Sequence, residues 1–318
     1  MRVTLIHNPG AGKQAKNEAK KLLGIVRAAG HKVRYQSAKS EDWAAALAED
    51  ADLIAVAGGD GTVSRVAKRM VGRSIPIAAL PLGTANNISR TLGIIDLDVK
   101  ALVRGWPEAR RVKLDVGIAE GPWGKRYFVE GIGVGLFTCL LSRQKPDAKL
   151  ARIKRPDKRV ARALELLKER VKDCPPIEIE AKLDGKTVAG RYLLLEALSI
   201  LYVGPNLFLA PDSQPGDGRF DLVMVTEAER DRLLEYLSKW QENKERLAVL
   251  PSQRGQRLTM AWDGFEIHID DQLWPEKKSR RKRSEIDVRI EGAAVDFLAP
   301  GRKEAEKEPK TRRGSRTK

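Results

Sequence analysis

Residues 53–64 read Leu-Ile-Ala-Val-Ala-Gly-Gly-Asp-Gly-Thr-Val-Ser, and this stretch decides the fold. Leu53–Ala57 is a continuous apolar run, as expected of a strand in a parallel sheet covered on both faces. Gly58, Gly59 and Gly61 then surround Asp60, and Thr62 leads into Val63–Val71, which reads as a helix. Glycines so closely spaced let the backbone turn sharply and approach a ligand. The helix that follows offers unpaired N–H groups and a positive dipole end, which together suit a phosphate. A carboxylate at Asp60 belongs among phosphates if it holds Mg²⁺ or a water on it. The plainer alternative is a tight strand–helix turn with Asp60 as a cap.

Two more strands end in loops of the same design. Val3–His7 runs into Asn8-Pro9-Gly10-Ala11-Gly12-Lys13, and Ile75–Leu80 runs into Pro81-Leu82-Gly83-Thr84-Ala85-Asn86-Asn87. Gly83 permits a tight turn, while Thr84, Asn86 and Asn87 offer hydroxyl and amide groups to a ribose or phosphate. The first loop lacks the four-residue spacer and Lys-Ser/Thr ending of a Walker A motif. All three loops fall at one edge of one parallel sheet, where such sheets bind ligands. Between them a helix is expected over Gln14–Ala29, a strand over Lys32–Tyr35, and a helix over Ser40–Ala48 capped by Ser40. Alternating strand and helix predicts an open α/β sheet.

After about residue 105 the pattern turns to strands. Val112–Ala119, Tyr127–Gly131, Ile177–Leu183, Arg191–Val203, Phe220–Val225, Arg257–Trp262, Phe265–Ile269, Ile286–Ile290 and Ala294–Leu298 all read so. Two helices interrupt them, Asp157–Lys172 and Ala228–Asn243. The expected fold is α/β: an N-terminal open parallel domain (1–105), then a β-rich, antiparallel, sandwich-like domain (106–293). From Gly301 the chain is charged and nearly free of apolar residues, and 301–318 reads as a disordered basic tail.

With 318 residues, 42% of them hydrophobic, the chain can bury a core. Asn8-Pro9 breaks the first apolar run too early for a signal peptide. The two cysteines, Cys139 and Cys174, have no metal-ligand spacing. They read as small core residues rather than a disulfide pair, in keeping with a reducing compartment. Net charge is +16, concentrated as +8 over 143–172, +6 over 277–283 and +5 over 301–318, which leaves the remainder at −3. Such local basicity suits a polyanion.

The three loops, taken in order, resemble the diacylglycerol kinase catalytic family, specifically its bacterial soluble lipid-kinase branch. Asn8-Pro9-x-x-Gly12-Lys13, Gly58–Thr62 and Pro81–Asn86 carry the likeness, which extends to about residue 300. The glycine motif alone is shared with NAD kinases and phosphofructokinases. The resemblance implies an ATP-binding α/β domain, a β-rich second domain and a substrate cleft between them, with a last strand near 294–299 returning to the first domain. It places Asn8, Gly12, Lys13, Ser37, Gly58, Gly59, Asp60, Gly61, Thr62, Ser64, Gly83, Thr84, Asn86 and Asn87 at the nucleotide. Ala210-Pro211 followed by Gly216–Asp221 resembles the family's structural Mg²⁺ loop, which implies the Asp217 carboxylate and the backbone carbonyls of Gln214 and Arg219 as ligands. By itself that loop also reads as a β-turn. Gly131-x-Gly133-x-Gly135 resembles a glycine-rich turn of the same family.

One departure concerns the chemistry. Ile269-Asp270-Asp271-Gln272 stands where the family has Asp-Gly-Glu, whose Glu is the proton acceptor for the lipid hydroxyl. Gln272 can orient a hydroxyl but cannot take its proton, and Asp270, or its neighbour Asp271, is expected to take over. General-base catalysis is worth about 10²–10⁴-fold, so the exchange bears on activity. Glu130 stands where the family often has a polar amide, and it either lines the cleft or is a paired buried acid. Of the histidines, His7 and His31 read as structural, and His268 lies on a strand near the cleft.

The expected function is ATP- and Mg²⁺-dependent phosphorylation of a lipid hydroxyl on diacylglycerol, ceramide or a sphingoid base. The alternatives are an NAD-kinase-like enzyme or a weakly active nucleotide- or membrane-binding homologue. A lipid substrate calls for peripheral docking of a cytoplasmic protein on an anionic membrane, where each Lys or Arg near the surface is worth about 1 kcal/mol. The helix Asp157–Lys172, with its apolar stripe, is either interfacial or a surface helix packed on its own domain. Nucleic acid is not expected, because the basic runs lack interleaved aromatics. A homodimer is one expectation for assembly, which the sequence leaves open.

Overall fold

A computed structural model describes residues 1–10, 13–142, 147–242, 250–275 and 283–300. Gly12, most of the basic run 277–283 and the tail 301–318 lie outside the described residues. The N-terminal third comprises β1 (Arg2–His7), α1 (Lys13–Ala28), β2 (Lys32–Ser37), β3 (Leu53–Gly58), α2 (Asp60–Met70), β4 (Ile77–Pro81), α3 (Asn87–Thr91) and α4 (Val99–Gly105). Next come β5 (Arg110–Gly121), β6 (Gly124–Phe128), β7 (Gly131–Gly135), α5 (Leu136–Leu141), α6 (Ala148–Arg152) and α7 (Pro156–Asp173). The chain continues through β8 (Ile177–Leu183), β9 (Lys186–Leu198), β10 (Tyr202–Val203), β11 (Leu207–Phe208), β12 (Phe220–Thr226) and α8 (Arg230–Gln241). It closes with β13 (Ser252–Gly255), β14 (Arg257–Trp262), β15 (Ile267–Ile269), β16 (Gln272–Trp274) and β17 (Ser284–Ala299).

Strands β2, β1, β3 and β4 are parallel neighbours in that order. The unbroken apolar run of β3 has a direct cause, since alternate residues enter different cores. Ile54 and Val56 pack with α2 residues Val63, Val66 and Met70 on one face. Leu53, Ala55 and Ala57 pack with Leu22 and Val26 of α1 on the other.

From β5 onward the pairings are antiparallel. One strand belongs to both regions. The runs Ile286–Ile290 and Ala294–Leu298, expected as separate strands, are the single strand β17 with a register shift between Ile290 and Ala294. Its Phe297 pairs in parallel with Ile77 of β4, while earlier residues pair antiparallel with β14 and β5. Strand β17 thus joins the parallel and antiparallel parts, and the fold is α/β with a parallel sheet and an extensive antiparallel part.

Two local expectations are corrected, and an open alternative is decided. Ser40 caps no α-helix: the segment is a short 3₁₀ turn over Trp43–Leu47, preceded by Asp42. The Ser40 hydroxyl instead donates to Ser37 O at 2.7 Å and accepts from Gln36 Nε2 at 2.6 Å. The cysteines are joined as a Cys139–Cys174 disulfide. Their spacing could not signal this, because the bridge forms only when α5 packs on the C-terminal end of α7. Of the two readings of helix α7, the packed one holds: Leu164, Leu167 and Val171 are buried against neighbouring elements, so its apolar stripe is not free for a membrane. No described helix is long and apolar enough to cross one.

Candidate active site

The three loops gather at one end of β1, β3 and β4, and each is held by its neighbour. Asn8 N donates to Ala57 O at 2.9 Å, and Asn8 Nδ2 donates to Thr62 Oγ1 at 3.1 Å. Leu82 N donates to Gly58 O at 3.0 Å. Gly59 and Gly83 pack backbone to backbone, so a Cβ on Gly83 would stand 2.4 Å from the Gly59 Cα. Glycine is required there by the close approach of the two loops. Asn86, in the left-handed region at φ 54°, closes its own loop by accepting from Gly83 N at 3.0 Å and donating to Gly83 O at 3.1 Å.

The helix after the glycine loop begins earlier than expected. Asp60, Gly61 and Thr62 form the first turn of α2, with Gly59 as the flanking residue. The Asp60 carboxylate reaches across to α3, where its Oδ1 accepts from Ile88 N at 3.0 Å. Burial raises its pKa, opposed by the N–H groups of Ile88, Asn87 and Asn86. Gly12 and the Lys13 side chain lie outside the described residues. Thr84 is half-buried in its loop, and Ser37 Oγ accepts from Lys39 N at 3.2 Å. The Ser64 hydroxyl is not turned toward the loops, because it donates to Asp270 Oδ2 at 2.6 Å.

Asp270 itself is the main surprise of the site. It sits at φ 51° in the two-residue turn between β15 and β16. Its carboxylate accepts from Glu130 N at 2.9 Å, Val129 N at 3.0 Å and Gly131 N at 3.3 Å, and pairs with Lys68 Nζ at 2.6 Å. With Ser64 added, both oxygens are occupied and the side chain is 2% exposed. The expectation that Asp270 replaces the missing base is therefore corrected: it is a clamp joining α2 to the β6–β7 segment. Asp271 lies exposed beside it, its Oδ2 3.2 Å from the position a Gly61 Cβ would take. Gln272 is exposed on β16 and does not line the cavity described next.

Between the loops and this turn lies a cavity of about 220 Å³. Asp60, Gly61, Ala85, Asn87, Glu130, Asp270 and Asp271 form its polar part, and Phe137, Leu140, Leu141, Val203 and Pro205 its apolar wall. Sequence reasoning left Glu130 undecided, and here it is buried and lines the cavity. Its Oε2 accepts from Asn87 Nδ2 at 3.0 Å. Burial raises its pKa well above the usual range, and the charges of Asp60, Asp270 and Asp271 add to the effect.

The glycine turn has a concrete task. His268, Gly133 and Glu196 are aligned across β15, β7 and β9. A Cβ on Gly133 would meet the Glu196 carboxylate at 2.2 Å, so glycine leaves the gap through which the two outer side chains touch. His268 Nε2 lies 2.9 and 2.8 Å from the Glu196 oxygens. Its Nδ1 lies 2.9 Å from Asp270 O, an acceptor only, and so carries a proton. Burial would depress the His268 pKa, but Glu196 and the Asp270 carbonyl outweigh it and the pKa is raised.

The expected Mg²⁺ loop lies apart from this cavity, and protein groups close it. Asp115 Oδ2 accepts from Gly216 N at 2.9 Å and Gly218 N at 3.0 Å. Asp217 pairs with Arg254 and accepts from Arg219 N at 3.0 Å, while Gln214 O accepts from Asp217 N at 3.2 Å. Among the described residues no three His, Cys, Asp or Glu side chains are grouped to hold a metal. The Asp217 carboxylate expected at this loop has Arg254 as its partner in this structure.

Comparisons with known proteins agree with this architecture. Residues 2–119 match the family described as the diacylglycerol kinase catalytic domain. The chain is similar to the diacylglycerol kinase of Bacillus subtilis (strain 168), with 28% identity over 71% of this chain and 74% of that one. It is likewise similar to the diacylglycerol kinase of Staphylococcus carnosus (strain TM300), with 28% identity over 71% and 73%. In fold it matches a solved diacylglycerol kinase from Bacillus anthracis str. Sterne, with a TM-score of 0.65 and 19% identity over 94% of this chain and 96% of that one.

Proposed function

We propose that this chain, a member of the diacylglycerol kinase catalytic-domain family, transfers the γ-phosphoryl group of ATP to a lipid hydroxyl. The observation that carries this reading is the composition of the cavity. One wall is apolar, from Phe137, Leu140, Leu141, Val203 and Pro205, and it leads to the carboxylates beside the glycine loops. An acyl chain along that wall gains about 25 cal/mol for each Å² removed from water, and its hydroxyl then faces the loop end. A dinucleotide acceptor would leave the same wall unmatched.

ATP phosphates belong at the interlocked Gly58–Thr62 and Gly83–Asn87 loops, where the N-terminus of α2 favours an anion. Phosphoryl transfer depends mainly on positioning and charge neutralisation. Bound with ATP, Mg²⁺ would supply part of that neutralisation at the phosphate oxygens.

Access from an anionic membrane fits the outer surface. Leu141 is 41% exposed at the cavity lip, and Arg152, Lys154, Arg155 and Lys158 are exposed on the adjoining α6–α7 segment. Docking through these basic side chains, rather than by insertion of α7, is consistent with the buried stripe of that helix.

The test is incubation with labelled ATP and Mg²⁺ in mixed micelles of diacylglycerol, monoacylglycerol, ceramide or sphingoid base, with NAD as a parallel acceptor. Label in a lipid product is expected. Label in NAD alone, or in no acceptor, overturns the proposal.

A further inference from the structure

We infer that Glu130 is the general base of this site, taking the proton of the acceptor hydroxyl as it attacks the γ-phosphorus. The inference rests on the kinase reading above and names the residue that completes it.

Asp270 has both oxygens occupied by three backbone N–H groups, Ser64 and Lys68. Asp60 is fastened to the N–H of Ile88. His268 lines the cavity, but its ring nitrogens are engaged by Glu196 and Asp270 O. Asp271 stands exposed at the mouth, and Gln272 is neutral and outside the lining. Glu130 alone combines burial, a place in the cavity wall and a single side-chain hydrogen bond among the described residues, from Asn87 to Oε2. That bond leaves acceptor capacity on the carboxylate and fixes its direction.

The groups facing Glu130 are Asp60 from α2, Asn87 from α3, and Asp270 and Asp271 from the β15–β16 turn. The nearby cation Lys68 is paired with Asp270. A carboxylate among carboxylates holds a proton more tightly, and a base whose affinity approaches the working pH is the more effective one. In the transfer, the acceptor oxygen bonds to the γ-phosphorus while the bond from that phosphorus to the bridging oxygen breaks and ADP leaves. The O–H proton passes to the Glu130 carboxylate and from there to water after product departure.

The experiment compares the full chain with Glu130→Gln, which keeps an oxygen for Asn87, and with Glu130→Asp. Expected for Glu130→Gln are a kcat lower by about 10²–10⁴-fold, a KM for ATP within about threefold, and loss of the acidic limb of the rate–pH profile. Glu130→Asp should recover part of the rate with that limb displaced. Turnover of Glu130→Gln close to wild type, or a lower rate with the acidic limb unmoved, overturns the assignment. If the wild type labels no lipid, the kinase reading fails separately, and Glu130 is then judged on ATP hydrolysis with water as acceptor. Loss of the acidic limb there supports the assignment, whereas an unchanged limb or no turnover at all overturns it.

Discussion

Ser64 and Asp270, 206 positions apart, are joined by a hydrogen bond of 2.6 Å from hydroxyl to carboxylate. This bond, with the Lys68–Asp270 pair at 2.6 Å, ties the first helix after the glycine loop to the turn on the far side of the cavity. Removing one partner of a buried ion pair costs about 3–5 kcal/mol, and a hydrogen bond to a charged group contributes about 1.5–3 kcal/mol. Asp270→Ala should therefore lose the larger amount and Ser64→Ala the smaller in urea denaturation. Equal stability of Asp270→Ala and wild type would contradict the clamp.

The contact of Gly59 with Gly83 makes a second prediction. A Cβ on Gly83 would stand 2.4 Å from Gly59 Cα and 2.7 Å from Asn86 Oδ1, so the loops must part. Overpacking of this kind costs about 1–3 kcal/mol. Gly83→Ala should also weaken ATP binding by at least about tenfold, equal to 1.4 kcal/mol, in calorimetry. Gly24→Ala is the contrast, since nothing lies within 4 Å of its Cβ position on α1. It should stabilise the protein by up to about 1 kcal/mol through helix propensity.

The His268–Glu196 pair predicts a pH dependence of stability. The folded pKa of His268 is raised, so the folded state binds its proton more tightly than the unfolded state does. That contribution is complete below the unfolded value of about 6.5 and is lost as pH rises through the folded pKa. Burial raises Glu196 as well, and its contribution has the same sign, declining as pH rises from the carboxylate range. The stability difference between wild type and His268→Gln, measured in urea at successive pH values, should shrink toward alkaline pH. A difference that grows with pH would refute the pairing.

The disulfide closes a loop with a sequence separation of 35. Chain entropy for a loop of that length corresponds to about 4 kcal/mol at 25 °C. A reductant should lower the urea midpoint of the wild type and leave Cys139→Ser unchanged. Two free thiols titrated in the unreduced, unfolded protein would show that the bridge is absent.

Much of this architecture is legible in the chain because its causes are local. Leu53–Ala57 announces a doubly covered strand by composition, and the glycines after it announce a turn. What escaped the reading depended on particular side-chain partners that spacing does not name. The helical turn expected to begin at Val63 begins at Asp60, whose carboxylate accepts from Ile88 N. Ser40 resembled a cap, yet Gln36 and Ser37 occupy its hydroxyl. The ion pair of Asp217 with Arg254 from β13 could not be read from the spacing of the loop.

By itself the sequence determined the alternation of strands and helices, the loops at their ends and the change to antiparallel pairing. Hydrophobic periodicity and glycine placement act over a few residues and do not depend on where the rest of the chain lies. Only the tertiary structure decided which carboxylate is free to do chemistry. Asp60, Glu130, Asp270 and Asp271 are alike in isolation. Burial, the N–H groups of residues 129–131 and the cation of Lys68 make Asp270 a clamp, whereas Glu130, held by Asn87 alone among the described side chains, has its pKa raised by burial and neighbouring charges. Those differences arise from residues up to 206 positions away, brought together when the turn after β15 closes over α2.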